Sequence, residues 1–300
     1  MLNLVRKWNK KALYYMMHGG INMIVLGQYC NLVVSKKVDF GYYLKDKFGD
    51  EVLLPNSACK GTMINEGDKI EVFVYRDSKD RMICTLKKPY LTTGEVAYLK
   101  IVSQSSIGAF ADIGLERDLF IPLKEQSFKL KTGEKYLIYM YIDKTDRLAG
   151  STKVDLYLDT AEEGQYKVSD DVSVIVYNTN ENGTLNVAID GKYKGLILAN
   201  EHFDYLYPGQ VINARVKRIY EDGMIGVTTR KKRLDAREEL SEKILSMLKE
   251  NGGFMPYNDK SSPEDIKREF NTSKNYFKMT LGGLMKKKLI TQDKEGTRLL

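Results

Sequence analysis

No apolar run among the 300 residues approaches the roughly 18–20 that a membrane-spanning helix needs. The first 22 residues also lack the apolar stretch of a secretory signal. Cysteine is scarce. Cys30, Cys59 and Cys84 show no CxxC spacing, which gives no zinc pattern, and an odd count fits a reducing cytoplasm better than a secreted disulfide scaffold. They read as small apolar residues of the first part of the chain. Histidine is scarcer still, with only His18 and His202, and a lone histidine after a strand is ordinarily structural. No P-loop, no G-x-G-x-x-G and no metal-spaced Cys/His cluster is present. Asp143, Asp146, Asp155 and Asp159 suggest a two-metal nuclease at first sight. They fall in a hairpin turn and its exit, where aspartate serves the turn itself. The chain is therefore expected to be no enzyme, and to need neither metal nor cofactor.

What is present is the length for two to four modest domains and the composition of an ordinary globular protein. Tyrosine is frequent, at 20 residues, which suits half-buried strands and aromatic surfaces. The formal charge of +7 points to a polyanionic partner, but Arg6, Lys7, Lys10 and Lys11 supply four of those charges in a stretch without acids. That stretch has its own explanation. Gly19-Gly20-Ile21-Asn22-Met23 can be encoded as GGAGGA-AUA-AAU-AUG, which would be a bacterial ribosome-binding site at a suitable distance from a start codon. Met23 is expected to be the natural start and residues 1–22 a translated upstream leader.

The most informative feature is an internal repeat. Residues 67–87, 133–153 and 209–231 each begin at a glycine, run through an alternating strand, turn on acidic residues and end a second strand at lysine. Asp77, Asp80 and Arg81 match Asp143, Asp146 and Arg147; in the third copy Glu221-Asp222-Gly223 supplies the positive-φ turn position. Upstream of each hairpin lies a second recurring block, seen as FGYYLKD then EVLLPNS, IGAFADIG then DLFIPLKE, and NGTLNVAID then KGLILANE. Five short strands in about 70 residues suit a small closed barrel, which removes exposed sheet edges.

This order of motifs resembles the S1 domain, an RNA-binding branch of the OB-fold. FGYYL at residues 40–44, IGAFA at 107–111 and GLILANE at 195–201 carry the likeness. The third copy has Thr184 and Leu185 in place of the aromatic pair, and the histidine typical of the S1 G-L-[IV]-H block is replaced by Pro55, Pro122 and Leu198. A single-strand site needs cations that track phosphates and rings on which bases stack. In the first copy Lys36 and Lys37 lead into Phe40, Tyr42 and Tyr43, where two adjacent residues cannot both point inward. The glycine between Phe40 and Tyr42 marks a bulge or a close backbone approach. In the second copy Phe110 and Phe120 offer rings, and Lys100, Lys124 and Lys153 offer charge. Arg230, Lys231, Lys232 and Arg233 form the densest basic run and are read as a phosphate clamp, against the alternative of solvated linker charge. The first two barrels are expected to bind more strongly than the third.

Beyond Asp235 the period changes from two to 3.6. Leu240, Ile244, Met247 and Leu248 form one helical face that ends at Gly252-Gly253. Ser262-Pro263-Glu264-Asp265 announces a second helix, running to about Phe270. Ser273 caps a third, with Phe277, Leu281, Leu284 and Met285 inward and Gly282-Gly283 predicting close helix contact or an early break. Residues 289–299 read as a short hairpin. Three helices and a hairpin make a winged helix, whose third helix would offer Lys274, Lys278, Lys286 and Lys287 to nucleic acid, with duplex DNA as the alternative ligand. Few base-reading side chains stand on that helix, which argues against a sequence-specific operator.

The predicted fold is thus multidomain and mostly β: a leader (1–22), three tandem five-stranded S1/OB-type barrels (23–90, 91–160, 161–233) and an α-rich winged helix (234–300). That domain order, with SPEDIKREFNTSKNYFKMTLGGLMKKKLI near the end, resembles the conserved virulence factor B family, found mainly in Gram-positive bacteria. The resemblance implies a cytoplasmic protein that binds single-stranded RNA and affects the expression of virulence genes. A docking scaffold for the ribosome or the RNA-decay machinery, or a DNA-binding regulator, are the rival readings. The leader assignment is checked by mass spectrometry of the native protein: Met23 is expected at the N-terminus, and tryptic peptides from residues 1–22 would contradict it.

Overall fold

The computed structural model describes residues 23–59, 61–202, 204–230 and 233–300, with only the backbone over 233–237. The leader, Lys231, Lys232 and the side chain of Arg233 lie outside the described residues. Strands β1 (Tyr29–Val38), β2 (Gly41–Lys45), β3 (Glu51–Pro55), β4 (Lys69–Arg76) and β5 (Met82–Thr85) close into a barrel in the order β1-β2-β3-β5-β4. The same path recurs in β6 (Val96–Ser105), β7 (Gly108–Ala111), β8 (Leu119–Pro122), β9 (Lys135–Ile142) and β10 (Leu148–Ser151). It recurs again in β11 (Asp171–Thr179), β12 (Leu185–Ile189), β13 (Tyr193–Ile197), β14 (Val211–Ile219) and β15 (Ile225–Thr228). The three five-stranded barrels expected from the repeat are present.

Alternation explains which residues fill them. Along β1, Cys30, Leu32 and Val34 point inward and Asn31 outward, so one face of a period-two strand meets the core. The cysteines behave as the small hydrophobes expected: all three are free and buried, and burial pushes the Cys30 thiol up to about 11. One backbone device closes every barrel. The first strand pairs with the fourth along its early half and with the second along its later half, and a bulge follows Val34, Ile101 and Val176. At that bulge the N–H of a positive-φ glycine, Gly67, Gly133 or Gly209, donates to the carbonyl of Val34, Ile101 or Val176 at 2.8–2.9 Å. The residue after each glycine accepts the returning N–H at 2.9–3.0 Å. Only glycine takes φ near +90° without strain, which is why each repeat opens on one.

The hairpin turns follow the acidic pattern. Asp77 Oδ1 accepts the N–H groups of Lys79 and Arg81, and Asp143 Oδ1 those of Thr145 and Arg147. Asp80 and Asp146 take the positive-φ position, and Gly223 takes it in the third copy. Partial burial raises Asp143, but the hydrogen bonds from Thr145 and Arg147 outweigh it and hold the carboxyl below its ordinary range. These aspartates are occupied by their turns, and no group of three or more Asp, Glu, His or Cys poised for a metal exists among the described residues.

The described residues fall into two compact units, one up to residue 196 together with 207–226, the other 197–206 with 227–300. Most of the second unit is α1 (Arg233–Glu250), β16 (Phe254–Met255), α2 (Pro263–Phe270), α3 (Lys274–Lys286), β17 (Ile290–Gln292) and β18 (Thr297–Leu299). Its core joins Leu240, Ile244 and Leu248 to Ile266, Phe270, Phe277, Leu281 and Leu284. Ser262 Oγ accepts the Asp265 N–H and so caps α2 behind Pro263, as its sequence announces. The wing hairpin is present, but it gains a third strand: Phe254–Met255 pairs with β18. Of the expectations for α3, the early break, close contact at Gly282 and the inward Met285 are not met. The helix runs through Gly282-Gly283 to Lys286, and a Cβ on Gly282 would meet nothing within 4 Å. Burial of Phe277, Leu281 and Leu284 outweighs the propensity cost of the glycines, and Met285 turns outward.

Within the first unit the barrels dock through the outer faces of their hairpins. Phe73, Tyr75 and Ile83 of the first barrel pack with Leu115 and Leu148 of the second. Leu137 and Tyr139 of the second pack with Ile175, Tyr177 and Ala188 of the third. Arg147 grips Asp80 through both carboxylate oxygens at 3.0–3.1 Å, and Tyr98 Oη donates to the Gly209 carbonyl at 2.6 Å. Phe73, fully buried, is the anchor of the first junction. Phe73→Ala is expected to lower the stability of the barrel unit by about 3–5 kcal/mol, read as an earlier urea midpoint; an unchanged midpoint would show that the junction contributes nothing.

Candidate nucleic-acid interface

The bulge after Val34 sets the register beyond it, so that Lys36 faces Tyr43 and Lys37 faces Tyr42 across β1 and β2. The Lys36 ammonium sits over the Tyr43 ring at 4.6 Å from its centroid, and Lys37 over Tyr42 at 5.9 Å. Phe40, at the hairpin tip, meets Tyr43 edge-on at 6.4 Å and leaves 58% of its surface exposed. Lys36, Tyr43 and Phe40 thus form one outward face of two rings and a cation. Tyr42 divides from it and packs on the barrel core. Lys36 also reaches Glu51 at 3.7 Å, an exposed pair of the kind that contributes only about 0–1 kcal/mol and exchanges readily for another anion.

Gly41 is what lets β2 lie this close to β3. A Cβ there would stand 2.2 Å from the Leu54 carbonyl oxygen, so the close approach expected between Phe40 and Tyr42 is real. The next turn adds a ring that the sequence reading missed. Asp46 Oδ1 accepts the N–H groups of Phe48 and Asp50, holding an exposed Phe48 with Lys47 5.0 Å from its ring centroid. The available signal was Lys-Phe next to a loop aspartate.

The same face of the second barrel differs. Phe110 and Phe120 are cross-strand partners with centroids 5.2 Å apart, and Phe120 lies over Gly108, where a Cβ would come within 2.6 Å of the ring. Both rings are half-buried. Ser103 and Gln104 stand where the first barrel has Lys36 and Lys37. The expected lysines are placed otherwise: Lys153 donates to the Lys124 carbonyl and pairs with Glu125, while Lys100 lies opposite Lys135 on β9. In the third barrel Asn178 faces Asn186 at the position of the Lys36–Tyr43 pair. Near its first strands lies another unexpected group, Tyr166 edge-on to Tyr193 at 5.8 Å with Lys192 4.9 Å from the Tyr193 ring centroid.

Of the basic run, Arg230 is described, exposed, and donates to the Asn200 carbonyl at 3.2 Å. Of the four α3 lysines expected to face a ligand, two also reach groups of their own domain. Lys274 Nζ donates to the Lys260 carbonyl at 3.4 Å, and Lys278 pairs with Asp259 at 3.8 Å. Lys286 and Lys287 are exposed where α3 ends. There the N–H groups of Lys287 and Leu289 return to the carbonyls of Gly283 and Leu284.

Comparison with known proteins agrees with this architecture. The CvfB-like winged helix domain family matches residues 242–299, and the S1 domain family matches residues 26–87, the first barrel. An "Uncharacterized protein YitL" of Bacillus subtilis is 29% identical over 277 residues, covering 89% of this chain and 91% of its own. The "Conserved virulence factor B" of Staphylococcus saprophyticus is 28% identical over 265 residues, covering 83% and 86%. Among solved structures, a multidomain protein with nucleic acid binding domains from Streptococcus pneumoniae aligns over 92% of this chain and 98% of its own, with 27% identity and a TM-score of 0.50. S1 and winged helix domains are nucleic-acid-binding folds and not enzymatic ones. The geometry of the first barrel is tested by Gly41→Ala. It is expected to cost about 1–3 kcal/mol and to lower the thermal midpoint; full stability in the variant would show that the β2–β3 approach imposes no constraint.

Proposed function

We propose, for a chain that belongs to the conserved virulence factor B family, that it binds single-stranded RNA on the outer face of its first barrel and regulates gene expression through that binding. The observation that carries this reading is the Lys36–Tyr43–Phe40 face, in which a cation and two rings stand together beside an exchangeable ion pair. Such a face suits an unpaired strand, because a base can stack on a ring only when it is out of a duplex. The choice of RNA over DNA follows the S1 match of this barrel. Phe110 and Phe120 extend the stacking surface without its charge. Arg230 adds a cation near the end of the third barrel, and Lys231, Lys232 and Arg233 continue the run in sequence.

The winged helix has a smaller part. On α3, Lys278, exposed and in an exchangeable pair with Asp259, stands with Lys286 and Lys287 as a cation open to nucleic acid, while Lys274 reaches the Lys260 carbonyl and no ring–cation face like that of the first barrel is built there. Residues 23–90, 91–160, 161–233 and 234–300 act as four linked modules, so weak contacts along one RNA add through effective concentration.

The test is fluorescence anisotropy of the full chain with labelled single-stranded RNA, single-stranded DNA and duplex DNA across a salt series. RNA is expected to bind best, with an affinity that falls as salt rises. Phe40→Ala combined with Tyr43→Ala is expected to weaken RNA about 10–100-fold, from stacking of roughly 1–3 kcal/mol per base. Unchanged RNA affinity in the double variant, or binding to duplex DNA alone, contradicts the reading.

A further inference from the structure

We infer that the third barrel stacks a base of single-stranded RNA in the corner formed by Tyr166, Tyr193 and Lys192, an inference that rests on the RNA-binding reading above and gives the strand a second point of attachment. The face that binds in the first barrel is lost in the third, where Asn178 and Asn186 replace Lys36 and Tyr43. Rings and a cation reappear at the loop between the second and third strands.

That loop has a different use in each barrel. In the first it holds Phe48, 66% exposed, with the Lys47 ammonium 5.0 Å from its ring centroid. In the second it is taken up by a junction. Leu115 packs with Phe73, Tyr75 and Ile83, Arg117 donates to the Asp77 carbonyl, and the loop has no aromatic residue of its own from Asp112 to Asp118. In the third, Lys192 and Tyr193 lead from the loop into β13, and Tyr166 meets them from the segment before β11. Rings are thus missing from the loop that docks on a neighbouring barrel and present on the other two.

The corner in the third barrel is built in advance of a ligand. The two rings stand at 75° with centroids 5.8 Å apart, and both keep part of their surface open. Each is anchored through its hydroxyl. Tyr166 Oη donates to Asp190 Oδ2 at 2.7 Å. Hydrogen bonds from Gln165 and then Lys192 hold the Tyr193 hydroxyl below its ordinary range. Gln165 is itself fixed, its side-chain carbonyl accepting the Glu162 N–H at 3.1 Å. Asp159 clasps the backbone behind Tyr193: its N–H donates to the Lys192 carbonyl and its carbonyl accepts the Lys194 N–H, at 2.8–3.0 Å. Rings held in this way lose little freedom when a base arrives.

The charge differs from that of the first barrel. The Lys192 ammonium lies 4.9 Å from the Tyr193 ring centroid, and Asp159 and Glu162 stand near enough to offset it. The corner therefore adds stacking rather than phosphate neutralisation, and its contribution is insensitive to salt where that of the Lys36 face is not.

The experiment measures the full chain by anisotropy with labelled oligo(U) across a salt series. Tyr193→Leu is expected to weaken binding about 5–50-fold, the loss of one stacked base, and to leave the slope against salt unchanged. A second arm crosslinks the unaltered chain to oligo(U) carrying 5-iodouridine, so it does not depend on how the variant folds. Adducts are expected on Tyr166 or Tyr193. Unchanged affinity in Tyr193→Leu, or RNA binding with no adduct on either tyrosine, overturns this inference alone and leaves the corner to a protein ligand. Absence of binding to any RNA overturns it together with the reading on which it rests.

Discussion

Each barrel depends on the backbone clasp at its first-strand bulge. The amide and carbonyl of Val34, Ile101 and Val176 are both taken by the segment that starts at Gly67, Gly133 or Gly209. The clasp sits where the pairing of the first strand passes from β4, before the bulge, to β2, after it. The positive φ of the glycine sets the direction in which the hairpin leaves. The extra residue of the bulge then decides which side chains meet across β1 and β2. Without it Lys36 would fall out of step with Tyr43, since a one-residue slip moves every side chain to the opposite face.

From that shared frame the three barrels diverge at the same positions. Lysine over tyrosine becomes serine beside phenylalanine, and then asparagine beside asparagine. The outer faces of the hairpins diverge as well. Phe73 and Tyr75 in the first barrel and Tyr139 in the second are buried against a neighbouring barrel. Rings therefore serve two ends in this chain, junction and surface, and the strand on which a ring stands decides between them.

The barrels were legible because their determinants are local and repeated: a glycine, an alternating strand, an aspartate whose side chain accepts from its own turn. The winged helix was legible through Ser262-Pro263, Ser273 and the period of its apolar residues. What sequence did not disclose lies in contacts between segments. Parity puts Tyr42 and Tyr43 on opposite sides but does not say which one meets solvent. The groups that stand beside the expected cations are such contacts: Glu125 and the Lys124 carbonyl beside Lys153, the Lys260 carbonyl beside Lys274 and Asp259 beside Lys278. Gly282-Gly283 marks a weak point by propensity, yet the helix is held by the burial of Phe277, Leu281 and Leu284. Phe254–Met255 is too short a strand to announce itself and exists because β18 has an edge to pair.

The most direct test of the central claim is photocrosslinking of the full chain to a short single-stranded RNA carrying 4-thiouridine, with the modified peptides mapped by mass spectrometry. The account predicts adducts on the peptides that hold Phe40 and Tyr43. Adducts confined to the α3 lysines or to the hairpin faces, with none in the first barrel, would contradict it.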